Sequence, residues 1–328
     1  MIDRTRRTLT LGALVLPFAA LPLRSHAQSP AWPTRPIRMI VPLAPGGSAD
    51  AVCRLLGSGL SQILGQTVVV ENKPGAGGIT GLAEVARARP DGYTLGYSLA
   101  GALTVAPHIA TRMPYEAKDL TPVSQVVAVP EIIVVNPKLG LRTLKDLIAY
   151  AKANPGKINF GSAGNATIPH LGGELFKREA GIDIVHIPYR GSGPALNDLL
   201  AGQVQMMVSD ITLVRSHIEA GRLTGLAVAG PERVKELSTI PTTAEAGVPG
   251  MVVSNWHGIV GPAGMSPALL EQLHTAIKKA LDMPEIKHRL DSEGATAVGS
   301  SSAEFGAFLK KESAVWGGLV KALDIKWD

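Results

Sequence analysis

Pro42-Leu-Ala-Pro-Gly-Gly-Ser-Ala-Asp50 is a glycine-rich turn without charge until its last residue, set between an apolar run, Ile37 to Val41, and a helical pattern that begins near Ser48. Gly161-Ser-Ala-Gly-Asn-Ala-Thr-Ile-Pro-His170, far along the chain, is a second turn of the same kind. The first N–H groups of a helix have no partner within it, and the helix dipole adds positive potential at that end. Two such ends aimed at one point would grip a small anion. This is chemistry for binding, with no side-chain nucleophile required.

Outward from these turns, β-type runs alternate with helices. The runs are Ile37 to Val41, Thr67 to Glu71, Tyr93 to Tyr97, Ile132 to Asn136, Asn159 to Phe160, Ile184 to Pro188, Val204 to Val208 and Gly225 to Ala229. That alternation predicts an α/β protein with mostly parallel sheets. Thr143-Leu-Lys-Asp146 is a capping box opening a helix that closes at Asn154-Pro155-Gly156, Ser266-Pro267 opens another, and Gly181, Gly202 and Gly221 end others. Two proline-flanked extended stretches, Leu120 to Val135 and Val248 to Pro262, bracket a compact block, the pattern of a chain that leaves one domain, builds a second and returns. The helices Ser266 to Leu281 and Ala303 to Leu323 should then pack on the first domain.

The chain opens with Arg4, Arg6 and Arg7 before an apolar stretch, Leu9 to Leu23, that ends in Ser25-His-Ala27. It reads as an export signal cut after Ala27. Thr5-Arg6-Arg7-Thr8-Leu9 approaches a twin-arginine pattern, and the general secretory route fits as well. The stretch is short and broken by Pro17 and Pro22, against the roughly 20 apolar residues of a membrane span. A soluble periplasmic protein is expected. Of the 328 residues, 32 are basic and 27 acidic; losing four arginines and one aspartate with the signal leaves 28 and 26, so the net charge falls from +5 to +2. Without a Lys/Arg cluster nothing points to nucleic acid. Cys53 is the single cysteine, which excludes an internal disulfide and suits a small buried residue.

Ten ordered segments carry a family resemblance over nearly the whole mature chain. They are Trp32-Pro-Thr-Arg-Pro36, Pro45-Gly-Gly-Ser-Ala-Asp50, Val70-Glu-Asn-Lys-Pro-Gly-Ala-Gly-Gly78, Asp91-Gly-Tyr-Thr-Leu95, Gly161-Ser-Ala-Gly164, His170-Leu-Gly-Gly-Glu174, Ile187-Pro-Tyr-Arg-Gly191, Pro194-Ala-Leu-Asn-Asp198, Pro241-Thr-Thr-Ala-Glu-Ala-Gly247 and Trp256-His-Gly258. In these the chain resembles the periplasmic solute-binding proteins of tripartite tricarboxylate transporters (TTT), the TctC-like or Bug family. The resemblance implies a type II periplasmic-binding-protein fold: two α/β domains joined by a two-crossing hinge, with a small carboxylate or related compound held in the cleft. It also implies delivery to a TTT-type membrane permease; a sensor subunit serving a signalling partner would use the same cleft. The expected limits are 28–128 with 252–328 for the first domain and 129–251 for the second.

Cleft loops of such folds lie at the carboxyl ends of strands. Leu43, Ala44, Pro45, Gly46, Gly47 and Ser48 are therefore expected to face the ligand from the first domain, and Ser162, Ala163, Gly164, Asn165, Ala166 and Thr167 from the second. Neither loop holds Arg or Lys, so recognition should rest on fixed dipoles and bridging waters; bonds to a charged acceptor contribute about 1.5–3 kcal/mol each. Gly75-Ala-Gly-Gly-Ile-Thr80 should line the cleft, with Thr80 either a contact or purely structural, and Ser98 to Ala102 is a similar small-residue edge. His170 is either a packing or capping residue or a neutral donor to the ligand. Asp210 either holds a ligand ammonium or hydroxyl, or caps the helix starting near Ile211. Arg190 is read as pairing across the domains. The rival class is a hydrolase using Ser162, His170 and Asp210, yet the chain has no Gly-x-Ser-x-Gly elbow. No His-x-x-x-His or Cys-x-x-Cys pair suggests a metal, and no cofactor is called for.

Overall fold

The computed structural model describes residues 32–322 and Ile325. The export signal and its cleavage after Ala27 lie outside the described residues.

The first part of the chain runs β1 (Ile37–Val41), α1 (Ser48–Leu64), β2 (Val68–Asn72), α2 (Ile79–Ala86), β3 (Thr94–Leu99) and the short α3 (Ala106–Ile109). The 16-residue β4 (Leu120–Val135) leads to α4 (Leu144–Ala153), β5 (Asn159–Ser162), α5 (Ile168–Ala180), β6 (Val185–Pro188), α6 (Ser192–Ala201), β7 (Met206–Asp210), α7 (Ile211–Glu219) and β8 (Thr224–Val228). β9 (Ser254–Pro262) returns the chain to α8 (Pro267–Leu281), α9 (Pro284–Ser292), β10 (Thr296–Ala297) and α10 (Ser302–Ala322). The capping box at Thr143 and Asp146 and the Ser266 cap both form.

The hinge is β4 lying antiparallel to β9. Through Pro130↔Ser254 the two strands pair in the first sheet, beside β3; from Glu131↔Asp210 onward β4 pairs β7 and β8 in the second. The extended stretch Leu120 to Val135 is thus one strand that passes between domains. Register shifts beside Pro122 absorb a residue that cannot donate to the ladder. The sheets are mixed rather than mostly parallel: β1 with β2 and β3, and β5 with β6 and β7, are parallel, whereas every pairing of β4 and β9 is antiparallel. Helical connections set the parallel pairs, and the paired hinge strands run in opposite directions because one leaves the first domain and the other returns.

Alternate residues feed two cores on opposite sheet faces. Ile37, Met39 and Val41 of β1 join one core with Leu56 and Cys53 of α1, while Ile40 joins the other with Leu82 of α2 and Trp256 of β9. Burial pushes the Cys53 thiol well up, which makes it an inert packing residue.

Candidate functional site

Two helices, α5 and α6, begin at one gap, and α1 begins beside them against the start of α6. α1, α5 and α6 each follow a strand by a glycine turn, and their N-cap residues, Gly47, Thr167 and Gly191, make no side-chain capping bond. The Thr167 hydroxyl donates instead to the Gly164 carbonyl at 2.7 Å. Helix starts left without caps present unpaired N–H groups to whatever lies in front of them.

The gap encloses about 20 Å³, room for roughly one water, and is lined by Leu43, Ala102, Ala163, Thr167, Ser192 and Asn255 among others. Through Leu43, Gly77 and Ala163 it adjoins a wider cavity of about 190 Å³ that includes Gly164, Asn165, Tyr189 and Arg190. No carboxylate lines either space, and Arg190 is the one cationic residue there. The dipoles of α5 and α6, with no acid lining the space before them, suit an anion.

The domains are closed on each other. The Ala44 N–H donates across the cleft to the Arg190 carbonyl at 2.9 Å, so Arg190 does join the domains, through its backbone. Around the gap much of the seam is glycine against backbone: a Cβ on Gly193 would come within 2.8 Å of the Gly46 carbonyl carbon, and one on Gly101 within 2.6 Å of the Ala166 oxygen.

The expected loop residues have distinct positions. Leu43, Ala163, Gly164, Asn165, Thr167 and Ala102 line the cavities, as do Gly75 to Gly77. Pro45 and Gly46 pack on α6 through backbone, and the Gly46 N–H is occupied by Asp50 at 3.1 Å. Ala166 takes a left-handed conformation (φ 61°), and its N–H donates to His170 Nδ1 at 3.2 Å. Thr80 is exposed on α2 outside both cavities. Ser98 is fully buried with its hydroxyl on the Leu99 carbonyl, and Leu99 lines the gap instead. Ser192 and Asn255 were not anticipated. The Gly191-Ser-Gly193 turn after β6 carried the signal for Ser192; Asn255 had none.

Ser162, His170 and Asp210 do not assemble as a hydrolytic triad. Ser162 Oγ pairs with His186 Nε2 at 2.6 Å, and His170 stacks on His186 with ring centroids 4.0 Å apart. Burial holds His170 down at about 4, and burial together with His170 holds His186 at about 3. Both are neutral near pH 7 and too weakly basic to activate a hydroxyl there. These residues brace the second loop from below.

Asp210 faces the hinge. Its Oδ1 accepts from Asn255 Nδ2 at 2.9 Å, and its Oδ2 accepts from the Ser48 hydroxyl and lies 3.4 Å from His257 Nε2; His257 Nδ1 is 3.1 Å from the Tyr97 hydroxyl. It is the residue before α7 yet its side chain caps nothing. Burial alone would raise its pKa, but the His257 contact, the neighbouring Glu131 carboxyl and the Ser48 bond prevail and lower it to about 2. Glu131, opposite it in the ladder, is fully buried with its carboxyl beside that of Asp210. Burial, then the Asp210 charge, push the Glu131 carboxyl well up, so it is neutral in the folded protein. A pKa raised by folding adds nothing unfavourable below the unfolded value near 4.5 and costs stability as pH rises above it. Glu131→Gln should therefore raise Tm at pH 7, and the gain should vanish below pH 4.5. Each kcal/mol corresponds to about 2–4 °C at this chain size. An equal Tm difference at pH 4 and pH 7 would contradict a neutral Glu131.

Comparison with known proteins places this geometry. Residues 52–325 match the model of the tripartite tricarboxylate transporter family receptor, TctC. The protein BugT of Bordetella pertussis is 37% identical over 327 residues, covering 99% of each chain. The structure of the periplasmic binding protein BugD superposes with TM-score 0.87 at 34% identity over 90% of this chain and 99% of that one. R. palustris Rpa4515 with adipate superposes with TM-score 0.87 at 32% identity, with the same shares covered.

Proposed function

This chain belongs to the tripartite tricarboxylate transporter receptor family, and from that premise we propose that it captures a small carboxylate between its domains in the periplasm and presents the closed form to a TTT-type membrane permease. The carrying observation is the opening of two uncapped helix N-termini, those of α5 and α6, onto a cleft that no carboxylate lines and that Leu43, Gly77 and Ala102 close from the first domain. The free N–H groups of the first turns of α5 and α6 hold the anion, the Asn255 amide and Ser192 hydroxyl add neutral donors, and no salt bridge is required in the gap. The adipate carried by the R. palustris relative is an anion of this class. The bodies that close are proposed as residues 28–128 with 252–328, and residues 129–251, turning about β4 and β9. Among the described residues no helix is long and apolar enough to cross a membrane.

A thermal-shift panel of adipate, shorter di- and monocarboxylates, amino acids and sugars tests this reading. A ligand at 100 times its Kd adds about 2.7 kcal/mol of stability. A Tm rise confined to acids is expected. No rise with any acid, in protein that mass spectrometry after denaturation shows to carry no bound acid, would overturn it.

A further inference from the structure

We infer that the Ser48–Asp210 hydrogen bond is the latch of the closed cleft, with Asp210 a positioning residue that holds the first turn of α1 against the second domain without itself touching ligand. Asp210 ends β7 in the second domain, whereas Ser48 is the first residue of α1 in the first. The other partners of the carboxylate, Asn255 and His257, lie on β9, where Asn255 pairs with Val129 one step from the crossing at Pro130. Rotation about the hinge strands moves a group at the pivot little and a group on α1 far. Opening therefore breaks the bond to Ser48 and leaves the bonds to Asn255 and His257.

The energetics favour a latch over a ligand contact. Asp210 is 3% exposed, both its oxygens are engaged, and it lines neither cavity. A buried carboxylate that loses a donor pays a desolvation penalty unless water replaces it. Around the gap the rest of the seam is glycine against backbone, with the Ala44 to Arg190 bond and close approaches at Gly101, Gly191 and Gly193, and further out Gly294 meets the apolar side chains of Ile211 and Val234. Ser48 to Asp210 supplies a charge-assisted side-chain bond across it, which is stronger than a neutral bond. Asn255 both lines the gap and donates to Asp210, so a ligand seated there bears on the same carboxylate. This goes beyond the proposed function and concerns the ligand-free protein, so its test stands or falls independently of which compound binds.

Residue-resolved amide exchange of the ligand-free protein is the test, because the Ala44 N–H is bonded only when the cleft is shut. In the wild type the Ala44 amide should be protected, and Ser48→Ala and Asp210→Asn should each speed its exchange roughly tenfold or more, the range of one lost bond to a charged acceptor. The double variant should exchange no faster than the faster single, since both remove the same bond. The Arg38 amide in the first domain and the Val185 amide in the second, bonded to Tyr93 and Ile158 carbonyls, should be unchanged. A merely structural role would speed those as well. An unprotected Ala44 in the wild type, an unchanged rate in the variants, or equal acceleration at Arg38 and Val185 would each overturn the latch. Should Asp210→Asn fail to fold, Ser48→Ala decides alone, alanine being a favourable helix residue.

Discussion

Gly101→Ala is expected to cost the protein ten- to a hundredfold in affinity for its carboxylate while leaving the ligand-free protein fully folded. Gly101 opens a π-helical turn, Gly101–Val105, at the end of β3, and its φ is not among the positive ones, so alanine suits its backbone. In the closed form, however, the added methyl carbon would stand 2.6 Å from the Ala166 carbonyl oxygen and 3.0 Å from the Thr167 Cα, both backbone atoms of the turn that opens α5. Backbone cannot step aside as a flexible side chain does, so the domains must stop short of closure. Overpacking of this kind costs about 1–3 kcal/mol, and each 1.4 kcal/mol is tenfold in affinity. The open form has no such neighbour, and alanine there restrains the unfolded chain, so the ligand-free Tm should hold or rise slightly. Calorimetric titration beside a melting curve checks both halves. Unchanged affinity would mean that binding does not need the seam to close.

The same logic separates what was legible in the sequence from what was not. Strand, glycine turn and helix start are neighbours in the chain, so Pro42 to Asp50 and Gly161 to His170 were readable as turns that open helices, and α1 and α5 begin there. The stretch Leu120 to Val135 was readable as an extended crossing because prolines interrupt an apolar run. Its antiparallel pairing was not, since it depends on β7, β8 and β9, which come later. Asp210 shows the limit most sharply. A carboxylate after a strand invites a ligand or capping role, yet its Ser48 partner is 162 residues away and its hinge partners 45 and 47. His170 likewise depends on His186, which reaches it only through the β5–β6 register that sets Phe160 beside His186. Local chemistry named the loops; tertiary pairing decided which side chains serve them.

Trp256→Ala should act in the opposite sense to Gly101→Ala, lowering stability by about 3–5 kcal/mol while sparing affinity in the protein that remains folded. Successive residues of β9 point to opposite faces. Asn255 and His257 turn toward Asp210 and the cleft, whereas Trp256, 2% exposed, turns toward α10, where it meets Phe305 and Phe308 edge-on with ring centroids 5.4 and 5.5 Å away. Gly258, the next residue on that face, is glycine because Phe305 lies where a Cβ would stand, 2.3 Å from its ring. The Trp256 indole N–H donates to Glu312 of α10 at 3.1 Å and so ties the last helix to the returning hinge strand, while Trp316, one turn further along that helix, donates to the same oxygen and fixes the carboxylate. Truncation opens a cavity beneath α10 and removes one of those donors. At about 2–4 °C per kcal/mol, Tm should fall by roughly ten degrees, with the Kd for carboxylate at low temperature changed less than threefold. A large affinity loss with little change in Tm would show instead that α10, through β9, controls the cleft.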